Sequence, residues 1–235
     1  MRYTINSVPI DAATRQEALN ACRGFLCGSA PHLIVTINPE MVVEAQKNIK
    51  FRAVLQKSDL ALADGIGVAW AARWLWGIKP ERISGVDFMV DLCALAEREG
   101  ASVFFLGGRG GVSEKTAEAM QEQFSKLRVA GSSEEPPIDL AIRHVDILFV
   151  AFGAPKQELW IAEHLPDLSR VKIAMGVGGA FDMISGNKKR APRAMRKLGL
   201  EWLWRLALQP SRIHRIFRAI VMFPLLVMRR RPEAL

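Results

Sequence analysis

Asp64 closes the short apolar run "DLALAD", and Thr36 and Asn38 close another, "HLIVTIN". A carboxylate at a strand end beside Gly65 and Gly67 can reach a bound ligand and take a proton from a sugar hydroxyl. The same aspartate could instead cap the helix that "GIGVAWAARWLW" predicts, since Asp is favoured before a helix; spacing alone leaves both readings open. Further on, "GGRGG" at 107–111 would let the backbone amides of Gly107 and Gly108 approach a phosphate at a helix N-terminus. A plain tight turn explains that string equally well. "FGAPKQELW" places Pro155 at a helix start, with Lys156, Gln157 and Glu158 in the first turn. "GVGGAFDMISGNKKRAPR" adds a second glycine-rich strand end around Gly178, followed by Asp182 and a basic run.

These residues need a frame that brings them together. "HLIVTIN", "DLALAD", "SVFFLGG", "DILFVAFG" and "VKIAMGVGGAF" read as buried parallel strands, because they are short apolar runs rich in Val, Ile, Leu and Phe. Most are followed by helical stretches such as "PEMVVEAQKN" and "GVSEKTAEAMQEQFSKL". The alternation predicts an α/β fold, a doubly wound, mostly parallel, Rossmann-like sheet with ligands at the carboxyl ends of its strands. The opening "MRYTINSVPI" is expected to form a small strand or hairpin before a first helix. Composition shifts after Gly186, so a catalytic core over 1–186 and a basic helical appendage over 187–235 are expected.

The chain has 235 residues, half of them hydrophobic, enough for one α/β domain with an appendage. Three cysteines, Cys22, Cys27 and Cys93, lack paired spacing, and the four histidines are scattered, so neither a disulfide framework nor a metal site is expected. No secretory signal is read at the start, and a cytosolic chain is expected. The formal charge of +8 points to a polyanionic partner, and the excess lies C-terminally. There "RIFRAIVMFPLLVMRRR" sets an apolar run between arginines. A spanning helix needs about 20 apolar residues, and this run is shorter and broken by Pro224. Arg212, Arg215 and Arg218 recur three apart beside Ile213, Ile216, Phe217, Ile220 and Val221, as in a helix lying at a membrane interface, with Trp202 and Trp204 as amphipathic anchors. An ordinary core-packing helix with a basic outer face is the alternative.

Taken together and in order, "TINPEMVVEAQKN", "LADGIGVAWAAR", "RISGVDFM", "FGAPKQE" and "GVGGAFDMISGNKKRAPRAMRKLGLEWLWRL" resemble the WecG/TagA/CpsF family of bacterial glycosyltransferases over nearly the whole chain. The resemblance implies an inverting, metal-independent transferase without a cofactor. It would move a sugar from a UDP-sugar to an undecaprenyl-diphosphate-linked saccharide, as a peripheral protein on the cytoplasmic face of the cytoplasmic membrane. An N-acetylmannosamine-type donor is favoured, with a glucosyl- or other hexosyltransferase of exopolysaccharide assembly as the alternative. By motif, Asp64 resembles the family's catalytic base and Thr36 its essential partner. Asn38, Arg82 and Gln157 resemble substrate-contacting residues, and Arg212, Arg215 and Arg218 are the candidates for appendage arginines that dock into the site.

The chain has no D-x-D string to suggest a metal-binding carboxylate pair, so arginines are the better candidates to meet the charge of a departing UDP. Two readings of other classes fare worse. A dinucleotide oxidoreductase predicts G-x-G-x-x-G after the first core strand, where "TINPEM" stands. A nucleic-acid-binding module needs base-reading or stacking groups on its basic face, whereas these arginines alternate with aliphatic residues. The oligomeric state is left open.

Overall fold

The computed structural model describes residues 1–136, 145–168 and 170–229, without the side chains of Lys197 and Arg212. Arg230 and Arg231, which end the basic tail, lie outside the described residues. The sheet has six strands in the order β4-β3-β8-β7-β5-β6, and every neighbouring pair is parallel. They are β3 (His32–Ile37), β4 (Leu60–Ala63), β5 (Ser102–Gly107), β6 (Arg128–Ser133), β7 (Ile147–Ala151) and β8 (Ile173–Gly176). The five apolar strings read from the sequence contain β3, β4, β5, β7 and β8; β6 is an addition. Strands β1 (Arg2–Ile5) and β2 (Val8–Asp11) form an antiparallel hairpin. It is tied to edge strand β4 where the Ala61 N–H donates to Asp11 at 2.8 Å, covering backbone that would otherwise be a free edge.

Helices cover both faces, which makes the fold α/β and Rossmann-like, as expected. Alternation along each strand separates two cores: Leu33, Val35 and Ile37 of β3 enter one, and Ile34 the other. The first core is closed by α2 (Pro39–Lys47), α3 (Ile49–Gln56), α4 (Ile66–Trp76) and α7 (Lys156–His164). The second is closed by α1 (Arg15–Cys27), α5 (Gly85–Glu99), α6 (Val112–Gln123) and the short α8 (Ala180–Ile184).

After Gly186 the chain runs through α9 (Arg193–Lys197) and α10 (Glu201–Leu208) into a C-terminal helix. That helix opens with a 3-10 turn at Pro210–Arg212 and continues as α11 (Ile213–Phe217), a π turn over Arg218–Met222 and α12 (Phe223–Arg229). The π turn has an evident cause in Pro224, which has no N–H and whose ring crowds the carbonyl four residues back. The ladder widens instead, with the Phe223 N–H donating to the Arg218 carbonyl.

One side of this helix packs on the core, as the core-packing alternative expects, and the other is exposed. Ile216, Phe223 and Val227 are buried, and the last two join the core under α2 and α4. Arg215 and Arg218 pair with Glu40 and Glu44 of α2 at 2.6 and 3.2 Å. Phe217, Ile220, Val221, Leu225 and Met228 remain exposed. Among the described residues no helix is long and apolar enough to cross a membrane. Because Phe223 has no exposure, Phe223→Ala is expected to cost about 3–5 kcal/mol, the usual range for a buried Phe. Urea denaturation measures it, and a cost near zero would mean the helix is not packed against the core.

Candidate active site

A cleft of about 560 Å³ opens at the carboxyl ends of β3, β4, β7 and β8. Thr36, Asn38, Asp64, Arg82, Gln157, Gly178 and Arg215 all line it, although they span 180 residues of sequence. The N-terminal turns of α2, α4, α5 and α7 contribute to the same lining. Their backbone dipoles therefore favour negative charge in the cleft.

Asp64 does not cap α4. The cap position is Gly65, with φ of 93° and no side-chain hydrogen bond, so the Asp64 carboxylate is left for the cleft. Its backbone N–H donates to the Ile37 carbonyl at 2.8 Å, which locks the ends of β3 and β4 together. Its Oδ2 accepts a long hydrogen bond, 3.4 Å, from the Gly85 N–H at the start of α5. Burial pushes the Asp64 pKa up to about 6, opposed by the Arg205 charge, the Gly85 amide and Arg82, and reinforced by Glu201. A carboxyl with that pKa is mostly ionised near neutrality yet more basic than an ordinary aspartate. Thr36 sits beneath the same helix start: a Cβ on Gly85 would stand 2.9 Å from Thr36 Oγ1, so a side chain at 85 would push the two apart. Asn38 caps α2 by accepting from the Met41 N–H at 3.0 Å, which leaves its amide NH2 as the group that can meet a ligand.

Gln157 is almost fully enclosed, and its hydrogen bonds are largely committed. Oε1 accepts from the Gly153 and Gly178 N–H groups, both at 2.9 Å, tying the loop after β7 to the loop after β8. Nε2 donates to Glu158 Oε1 at 2.7 Å. This pair presses on β8 so closely that a Cβ on Gly176 would lie 2.6 Å from Gln157 Nε2 and 2.9 Å from Glu158 Oε1. Glu158 is 1 % exposed, its Oε2 has no hydrogen-bond partner among the described residues, and burial pushes its pKa up to about 7 despite the Gln157 donor. The folded state thus holds this proton more tightly than the unfolded chain, and stability falls as pH rises toward and through about 7. Glu158→Gln removes the titration. Its Tm relative to wild type is expected to climb between about pH 5 and about pH 8, and a constant difference would count against a buried carboxyl here.

The cationic lining comes mostly from residues the sequence did not single out. Arg205 of α10 is the charge with the largest influence on Asp64; its Nη2 donates to Glu201 Oε1 at 2.6 Å. Arg190 forks onto Asp87 of α5 at 2.8 and 2.7 Å. The Nε of each is buried with no hydrogen-bond partner among the described residues. Arg196 lies 3.9 Å from Asp87, and Arg82 donates to the Arg196 carbonyl, so the segment after Gly186 forms one wall of the cleft. Of the three tail arginines expected there, Arg215 lines the cleft and Arg218 is outside its lining. The side chain of Arg212 is outside the described structure.

Gly107 and Gly108 also lie outside the lining, beyond β7 at the end of β5. Gly107 has φ of 103°, and a Cβ there would meet the Ala151 backbone at 2.9 Å, so local packing already accounts for it. The Gly111 amide is taken by Glu134 Oε1 at 2.5 Å. Among the described residues no three His, Cys, Asp or Glu side chains converge as a metal site requires.

A parallel α/β sheet that sets a carboxylate among arginines in the crevice at the carboxyl ends of its strands defines the broad class of Rossmann-like α/β proteins. The particular family follows from the whole chain: residues 3–234 match the Glycosyl transferase WecG/TagA/CpsF family, and the protein belongs to it. It is a glycosyltransferase. Two relatives, from Bacillus spizizenii (strain ATCC 23059 / NRRL B-14472 / W23) and Bacillus subtilis (strain 168), are each an N-acetylglucosaminyldiphosphoundecaprenol N-acetyl-beta-D-mannosaminyltransferase. The first is 36 % identical over 190 residues and the second 34 % over 191, each alignment covering 78 % of this chain and 74 % of the relative.

Proposed function

We propose that the protein transfers an N-acetylhexosamine, with N-acetylmannosamine favoured, from a UDP-sugar to an undecaprenyl-diphosphate-linked saccharide, with inversion. The observation that carries this reading is Asp64, a carboxylate with pKa about 6 on the floor of a cleft lined by Arg82, Arg190, Arg205 and Arg215. Inversion requires the acceptor hydroxyl to attack the sugar carbon opposite the leaving diphosphate while a base removes its proton. Asp64 is that base, with Thr36 of β3 near it beneath the start of α5. Negative charge grows on UDP as it departs, and the arginines and helix N-termini neutralise it, without a metal ion in that role. Asn38 and Arg82 contact substrate, the first from the end of β3 and the second from the loop that leads into α5. Gln157 and Gly178 shape the loops that receive the nucleotide.

The names of the two relatives support the sugar and the acceptor. A lipid-linked acceptor in turn supports a peripheral position on the cytoplasmic face of the membrane, with the exposed apolar residues of the C-terminal helix toward lipid. A panel of UDP-sugars assayed for UDP release with N-acetylglucosaminyl-diphosphate-prenyl acceptors, with and without EDTA, tests the reading. Release with UDP-N-acetylmannosamine that persists in EDTA is expected. Release with a UDP-hexose alone moves the assignment to hexosyl transfer, loss in EDTA removes the metal-independent step, and no release with any donor sinks the reading.

A further inference from the structure

The inner part of the cleft is cationic, but its lining also includes apolar side chains. Ile66 and Trp70 of α4 line it, as do Ile220 and Pro224 of the C-terminal helix. Ile66 and Trp70 are 52 % and 40 % exposed, and Trp74, one turn further along, is 60 % exposed. The three recur at i, i+4 and i+8, so they share one face of α4, and the Trp70 and Trp74 rings stack with centroids 6.3 Å apart. The opposite face, with Val68, Ala71, Ala72 and Leu75, is the one buried in the fold. A helix that already has its buried face does not need a second apolar stripe for folding.

Charge and apolarity meet in a single cleft, and that combination selects the ligand. Arg82, Arg190 and Arg205 suit an anionic group, while the stripe suits a hydrocarbon joined to it. A sugar nucleotide offers only the first. The apolar side chains facing away from the cleft, Phe217, Val221 and Leu225, could meet a bilayer without any help from Ile66 or Trp70.

Resting on the acceptor proposed above, we infer that α4 and the C-terminal helix form an apolar lip that holds the first isoprene units of the lipid-diphosphate acceptor. Ile66, Trp70 and Ile220 form its inner part, and Trp74 extends it outward. The lip aligns the lipid with the exit of the cleft, so that the attached diphosphate meets the arginines and the saccharide reaches toward Asp64.

The test uses the full chain, no vesicles, and two acceptors below micelle-forming concentration: N-acetylglucosaminyl diphosphate carrying a methyl group or a three-isoprene chain. Wild type is expected to prefer the isoprenyl acceptor in kcat/KM by about tenfold or more, since each buried CH2 contributes about 0.8 kcal/mol. Trp74→Ser and Ile220→Ser, both at exposed positions, are expected to reduce that preference severalfold. Ile49→Ser on α3, exposed and outside the cleft lining, should leave it intact. No preference in wild type, or an undiminished preference in both variants, overturns the lip while leaving the transferase reading in place. In a second assay with the isoprenyl acceptor carried in anionic vesicles, a Trp74→Ser defect seen there and absent from the vesicle-free assay assigns the stripe to the lipid surface and overturns the lip as well. Absence of transfer to either acceptor overturns the function reading itself, and the lip with it.

Discussion

Asp64→Asn is expected to lower kcat by about 10²–10⁴-fold, the range a general base contributes, while UDP binding survives. The substitution keeps the shape and the acceptor that the Gly85 amide uses, and removes only the capacity to take a proton. In wild type the base works when ionised. kcat/KM should therefore rise with pH through about 6 and level off near neutrality. Stability moves the other way. Folding raises the Asp64 pKa from an ordinary 3.8, so the folded chain binds more protons than the unfolded one between those values, and stability falls as pH rises through the window. Asn carries no such cost. Asp64→Asn is thus expected to melt above wild type at about pH 8, with the gap closing toward about pH 4. A dead enzyme that is also less stable at high pH would point to a structural defect rather than a missing base. Near-normal turnover would remove Asp64 from the chemistry altogether.

The sequence exposed one half of the cleft much better than the other. Thr36, Asn38 and Asp64 were legible because a buried parallel strand ends abruptly where polar residues appear, and a doubly wound sheet puts those ends on one edge. Gln157 was legible as a polar residue opening a helix at that edge. The fact that it spends both Oε1 lone pairs on backbone amides was not, because those partners are 4 and 21 residues away in opposite directions. Arg190, Arg196 and Arg205 gave no comparable signal. Each stands in a basic or amphipathic stretch whose usual meaning is a solvated face, and only the fold back of the chain after Gly186 brings them opposite Asp64 and Asp87. The tail arginines show the same limit at finer scale. A three-residue repeat made Arg212, Arg215 and Arg218 equivalent, but α2 supplies glutamates to two of them, and Arg218 is outside the cleft lining. Strand β6 escaped because it is a half-buried edge, "RVAGSS", with no buried apolar run to announce it.

Arg205→Gln is expected to cost about 10²–10³ in kcat, as loss of a charged donor to a departing diphosphate does, and to move the pH midpoint of kcat/KM above 6. The second effect separates an electrostatic role from simple damage. Arg205 is the largest of the charges that hold the Asp64 pKa down, and it also neutralises Glu201, whose carboxylate pushes that pKa up. Removing the guanidinium therefore acts twice in the same direction: an attractive charge is lost, and a repulsive one is left unpaired. Arg205→Lys restores a positive charge on a shorter reach without the planar fork. It should bring the midpoint most of the way back toward 6 while recovering only part of the rate, because the diphosphate still lacks its paired donors. If Gln and Lys variants lose rate equally and both keep the wild-type midpoint, Arg205 is not coupled to Asp64. If both keep the wild-type rate, the leaving group is stabilised elsewhere in the cleft, and Arg190, whose Nε is likewise buried with no partner among the described residues, becomes the next arginine to replace.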